Sequence, residues 1–104
     1  MKRLAFKMQL KPGYEQIYRQ RHDAIWPALK QLLKNAGIHH YAIYLDPETY
    51  TLFATLELED EEKYAALPQH ELMRQWWDYM ADIMETYPDH SPISTSLQEM
   101  FYLE

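Results

Sequence analysis

The chain lacks several features that define whole classes of protein. It has no cysteine and only two glycines among 104 residues, which excludes disulfides, thiolate nucleophiles, cysteine-bound metals and glycine-rich phosphate loops. Basic residues are a minority, with ten Lys and Arg against sixteen Asp and Glu, for a net charge of −6. Because this charge repels phosphate backbones and anionic lipid, we expect neither a nucleic-acid nor a membrane partner.

Long apolar runs are also missing. No stretch approaches the ~20 apolar residues that span a bilayer, and the apolar run within Met1–Glu15 is too short and interrupted for a signal peptide. The length fits one domain covering residues 1–104, with no internal repeat. We therefore expect a cytoplasmic protein, and the lack of cysteine fits a reducing compartment.

The first third of the chain changes from a strand pattern to a helical one. Apolar residues alternate over Leu4–Leu10, which is typical of a strand with one buried face. Helical spacing follows over Tyr14–Ala36. Pro27 lacks a backbone donor, so this helix should kink or restart near Trp26. Gly37 is suited to ending it in the left-handed conformation.

The remaining segments complete a β-α-β-β-α-β order. They are a strand at Ile38–Leu45, a turn at Asp46–Glu48, a strand at Thr51–Glu59, a short helix that Asp60 caps and Pro68 interrupts, a helix at Glu71–Met84, a loop at Tyr87–Ser96 and a strand at Glu99–Leu103. This order predicts an α+β protein of the ferredoxin-like, split β-α-β type, with one antiparallel sheet and both helices on one face. The uncovered face would carry aromatic residues, so we expect a homodimer whose sheets pack together, with the C-terminal strand near the interface.

Polar and aromatic residues occupy helix positions where aliphatic residues would pack a core better. Tyr18 and His22 are four residues apart and share a helix face. A lone His22 would more often be a hydrogen-bonded core histidine, but two polar groups on one buried stripe indicate a pocket lining. Trp76 and Trp77 are adjacent; they either form a bulky core seam or provide a wall of the same pocket.

Tyr41 and Tyr44 lie on opposite faces of the second strand, and the local sequence does not decide which one faces the helices. The remaining histidines do not form a metal site. His39 and His40 point to opposite faces, and His70 and His90 flank prolines in loops. Neither an HExxH motif nor a G-x-S-x-G nucleophile elbow is present. We expect no metal and no cofactor.

An imidazole, phenols and indoles in one pocket suit a polyhydroxylated ring, because the imidazole can move a proton and the indoles can cover C–H faces. These residues indicate a small sugar-handling enzyme. The segments YRQRHDAIWPAL, HHYAIYLD, RQWWDYM and PDHSPISTSLQEMFYL resemble the L-rhamnose mutarotase family over nearly the whole chain.

The resemblance implies a dimeric α+β barrel of ferredoxin-like subunits that interconverts the α and β anomers of L-rhamnose without a cofactor. It implies that His22 is the proton donor and that Tyr18, Tyr41, Trp76 and Trp77 bind the sugar. His22 would protonate the ring oxygen, with Tyr18 or a water at the anomeric oxygen. Two other classes stay open: a cofactor-free monooxygenase of the same barrel type and a non-catalytic sugar-binding module.

Overall fold

A computed structural model describes residues 1–104. The strands are β1 (Lys2–Gln9), β2 (Ile38–Asp46), β3 (Thr51–Leu58) and β4 (Ser94–Ser96), and the helices are α1 (Glu15–Asp23), α2 (Pro27–Asn35), α3 (Glu61–Ala66) and α4 (Glu71–Met80). Short 3₁₀ turns at Leu67–Gln69 and Ala81–Ile83 follow α3 and α4. None of the helices has the length and apolar character needed to cross a membrane.

The four strands form one antiparallel sheet in the order β2-β3-β1-β4. This order confirms the ferredoxin-like, split β-α-β prediction. The helices pack on the face that carries the alternate β3 residues Leu52, Ala54, Leu56 and Leu58, all of them buried. Buried residues of α2 and α4 pack against this face and complete the apolar layer. A cavity between the helices and the sheet can therefore open only beside this layer.

Breaks between elements follow the predicted signals. Pro27 is the first residue of α2, so the long helical run divides into α1 and α2 at Trp26. Gly37 has a φ of +80°, and a Cβ there would lie 3.1 Å from the Cβ of Glu59. Asp60 caps α3, since its side chain accepts hydrogen bonds from the backbone N–H groups of Glu62 and Lys63.

The predicted C-terminal strand at Glu99–Leu103 is wrong. The fourth strand is Ser94–Ser96, inside the segment predicted to be a loop, and it pairs with Phe6–Met8 of β1. Ser94–Ser96 has no alternation of apolar and polar residues that would mark it as a strand. It is recognised as a strand only by its backbone pairing with β1. Residues 99–103 have no regular structure and are exposed. The predicted helix Glu71–Met84 is shorter, because a 3₁₀ turn replaces its end.

Candidate active site

A large open cavity lies between the helices and the sheet. Its volume is about 1440 Å³, above the roughly 300–1,000 Å³ typical of ligand pockets, so part of this space is an approach from solvent. The predicted site residues that line it are Tyr18 and His22 of α1, Tyr41 of β2, and Trp76 and Trp77 of α4. The fold thus brings together residues from three separated parts of the sequence.

Tyr18 and His22 form a stacked pair on the buried side of α1. Their ring centroids are 4.2 Å apart with an interplanar angle of 26°. The His22 Nδ1 lies 3.0 Å from the backbone oxygen of Tyr18. A carbonyl oxygen can only accept, so Nδ1 carries the hydrogen and donates it. In the neutral ring the lone pair is therefore on Nε2, which has no protein partner.

Burial sets the electrostatics of this pair. The pKa of His22 lies below its usual value, chiefly because burial disfavours the charged imidazolium, while the hydrogen bond to the Tyr18 backbone and the charge of Asp23 oppose this shift. His22 is therefore predominantly neutral near pH 7. Burial raises the pKa of the Tyr18 phenol, and the nearby Tyr41 adds to this effect. Tyr18 consequently stays protonated and can donate a hydrogen bond.

The two tryptophans differ in their burial. Trp76 is 6% exposed and belongs to the main apolar cluster. Its ring is nearly perpendicular to that of His22, with a centroid distance of 5.5 Å and an angle of 88°. Trp77 is only half-buried. Both tryptophans line the cavity. Trp76 is therefore both a core residue and part of the pocket wall. Trp77 has more of its ring available to contact a ligand.

Register decides between the two tyrosines of β2. Tyr44 pairs with Phe53 on the face away from the helices and is 64% exposed. Tyr41 is two residues before Ile43, which pairs with the buried Ala54, so Tyr41 is on the helix side. Its residue surface is 40% exposed through the open cavity, yet enough protein surrounds the phenol for burial to raise its pKa, with a contribution from Tyr64.

Sequence reasoning missed two aromatic residues, one that lines the cavity and one that packs against Trp76. Trp26, between α1 and α2, meets Trp76 edge-on with ring centroids 5.0 Å apart. Tyr64 of α3 lines the cavity, and burial raises the pKa of its phenol. Trp26 could have been found from its place at the predicted restart of the helix. Tyr64 could not, because α3 has no buried residue and therefore no apolar pattern that would have drawn attention to Tyr64.

The other histidines are held by carboxylates or by backbone. His39 lies 2.9 Å from Glu59, and His40, at a bulge in β2 with a φ of 51°, lies 2.9 Å from Glu57. His70 caps α4 by accepting the N–H of Leu72. His90 bonds Asp78 at 2.9 Å. The sequence analysis placed His70 and His90 in loops and did not identify these partners.

Comparison with known proteins assigns this architecture. A family model described as L-rhamnose mutarotase matches residues 3–103. Proteins named L-rhamnose mutarotase from Bacteroides thetaiotaomicron and Formosa agariphila are 54% and 50% identical over 104 residues, with full coverage of both chains in each case. The crystal structure of an L-rhamnose mutarotase from Formosa agariphila has a TM-score of 0.93 and 49% identity, again over the whole of both chains.

The fold, the acid/base and aromatic cavity, and these likenesses define a class, the sugar-isomerising enzymes built on a ferredoxin-like α+β subunit. Within that class, the chain belongs to the L-rhamnose mutarotase family.

Proposed function

We propose that this protein interconverts the α and β anomers of L-rhamnose, with His22 as its acid/base residue. The observation that carries the proposal is the orientation of the His22 ring, whose Nδ1 lies 3.0 Å from the Tyr18 backbone oxygen while Nε2 stays available at the cavity. An imidazole with a pKa near or below neutrality suits proton transfer in both directions. The family's name indicates the substrate.

The chemistry of a hemiacetal explains how one imidazole can suffice. The anomeric oxygen and the ring oxygen are bonded to the same carbon, so Nε2 can serve both. Nε2 takes the proton of the anomeric hydroxyl as the bond from carbon to ring oxygen breaks and an aldehyde forms. The resulting imidazolium gives that proton to the ring oxygen. After the aldehyde carbon rotates, the reverse steps close the ring on its other face.

The remaining residues hold the sugar while the ring is open. The phenols of Tyr18 and Tyr41 donate hydrogen bonds to sugar oxygens, as their raised pKa values favour the protonated form. Trp76 and Trp77 cover the apolar side of the deoxy sugar, including its methyl group. No step in this scheme needs a covalent intermediate or a cofactor.

Exchange between the two anomers by NMR tests this proposal. L-Rhamnose is followed at neutral pH with wild-type protein and with His22→Ala, whose fold is checked by circular dichroism. The proposal requires faster exchange with the wild type and its loss in the folded variant. Binding without acceleration would instead identify a sugar-binding module, and oxygen uptake with a quinol-like substrate would identify a monooxygenase.

We also propose that two copies pack through the sheet faces that the helices leave open. Tyr44 and Phe53 are exposed side by side on that face, and Arg3 ties the C-terminal segment to β1 through Glu99 and the ring of Tyr102. Light scattering should give twice the mass of one chain, and a monomer would overturn this proposal. A cytoplasmic location stays a prediction.

A further inference from the structure

The helix that carries His22 has few apolar contacts to hold it. Tyr18 is the only buried residue of α1, so burial alone does little to fix how this helix sits against its neighbours. Yet proton transfer demands that His22 keep its place against Trp76 and the bound sugar. A further contact between α1 and α4 is therefore needed, and Arg21 provides it.

Arg21 makes a dense set of contacts with the end of α4 and the turn that follows it. Its Nη1 donates to the Tyr79 carbonyl oxygen at 2.8 Å and to Oδ1 of Asp82 at 2.8 Å, and Nη2 donates to Oδ2 at 3.1 Å. The guanidinium also lies 4.5 Å from the centre of the Tyr79 ring. The Arg21 side chain is only 17% exposed, so this arrangement is partly shielded from water.

The place of Arg21 in the chain connects this contact to the site. Arg21 precedes His22 directly, but it does not line the cavity. Tyr79, to which it donates, packs against Trp76 and Trp26 at centroid distances of 5.6 Å and 5.5 Å. One side chain thus joins the helix that carries the imidazole to the aromatic group against which that imidazole rests.

We propose that Arg21 is a positioning residue. Its bidentate salt bridge to Asp82 holds α1 in a fixed position relative to α4, and this aligns the His22 imidazole beside Trp76. This inference rests on the proposed function for its effect on catalysis. The pair stays ionised across the neutral range, because the bond to Asp82 raises the pKa of Arg21 and the bond to Arg21 lowers the pKa of Asp82.

Lysine cannot replace arginine in this arrangement. A planar guanidinium offers paired donors to both carboxylate oxygens and a flat face to an aromatic ring, whereas an ammonium is a point charge. Arg21→Lys therefore keeps the charge and removes the geometry. Asp82→Asn is a second, milder variant that keeps one acceptor oxygen. Gln20→Ala, an exposed neighbour on the same helix, is the matched control.

The experiment measures anomer exchange for the three variants and titrates His22 by NMR. With Arg21→Lys we expect kcat to fall about tenfold while KM changes less than about twofold, since a misplaced acid/base group slows chemistry more than binding. Asp82→Asn should show a smaller fall in the same direction. As α1 loosens, water reaches His22 and its pKa should rise toward the ordinary value, and the acid limb of the rate profile with it.

Tyr18 and Asp23 of its own helix are the titratable groups that act on His22, with Tyr41 of β2 beyond Tyr18; Trp76 of α4 is not titratable. A wild-type kcat and His22 titration in folded Arg21→Lys would overturn the inference, as would a change in KM alone. If Arg21→Lys does not fold, Asp82→Asn decides by the same measurements. If the wild type does not accelerate exchange, the proposed function fails, while the His22 titration still judges Arg21.

Discussion

Two helices that line the cavity, α1 and α4, are held in place in opposite ways. α4 buries Trp76 and Met80 in the main apolar cluster, so its position follows from core packing. α1 buries only Tyr18, and its position depends on polar contacts. The proposed acid/base residue, His22, is on the weakly packed helix, and the two tryptophans are on the strongly packed one. We infer that changes in α1 should mainly affect chemistry, whereas changes in α4 should affect stability and binding together.

His22→Ala should give the largest effect and separates the two helices most clearly. Without the imidazole, we expect kcat/KM for anomer exchange to fall about 10²–10⁴-fold, the usual contribution of a positioned acid/base group. The melting temperature should change little, because His22 is only half-buried at the edge of the cavity. His39→Ala, which removes an imidazole paired with Glu59 away from the cavity, is the matched control.

Substitution of the two tryptophans tests the α4 side of the comparison. Trp76→Ala empties a buried core position and should lower the free energy of unfolding by about 3–5 kcal/mol. Trp77 is half-buried, so Trp77→Ala should cost less stability and chiefly raise KM. Urea unfolding and kinetics on both variants measure this, and equal losses of stability would contradict it.

Removal of single phenol hydroxyls should give smaller effects. Tyr18→Phe and Tyr41→Phe each remove one proposed hydrogen bond to the sugar, worth about 0.5–1.5 kcal/mol, so we expect kcat/KM to fall roughly two- to tenfold. Tyr14→Phe removes the same group from an exposed residue that does not line the cavity and should leave the rate unchanged. A comparable loss in Tyr14→Phe would mean that Tyr41 has no special place in the site.

The smallest expected effect is the pH dependence of the wild type. The lowered pKa of His22 keeps the neutral ring, with its free Nε2, present to lower pH than in an ordinary histidine. The acid limb of the kcat/KM profile should therefore lie below about pH 6.5. His22 should also lower stability as pH falls through this range, because the unfolded chain binds the proton first. A limb above pH 6.5 would contradict the lowered pKa.

The architecture was predictable from the sequence because its signals are local. Alternation in β1 and β3, the restart of the helix at Pro27, and the cap at Asp60 all depend on neighbouring residues. β4 could not be found in this way, since Ser94–Ser96 has no apolar pattern and is a strand only because β1 offers it an open edge. The strand predicted at Glu99–Leu103 is absent, and Ser94–Ser96 occupies the edge of β1 instead.

The sequence predicted five residues of the cavity lining, but it predicted neither Tyr64 nor the geometry that joins them. Helical spacing alone put Tyr18 and His22 on one face. The choice of Tyr41 over Tyr44 depended on the sheet register, which joins residues distant in sequence. The Arg21–Asp82 bond spans 61 residues, and no local pattern could have shown it. Contacts between elements thus decide what a site residue does.

Chemical rescue of His22→Ala tests the central claim most directly, namely that a free imidazole nitrogen in the cavity moves the proton. Anomer exchange of L-rhamnose would be followed by NMR with wild type, His22→Ala and the Tyr14→Phe control, each with and without added imidazole. We predict that imidazole restores much of the lost exchange in His22→Ala and leaves the other two proteins unchanged relative to buffer. A folded His22→Ala that exchanges the anomers as fast as the wild type without imidazole would contradict the claim.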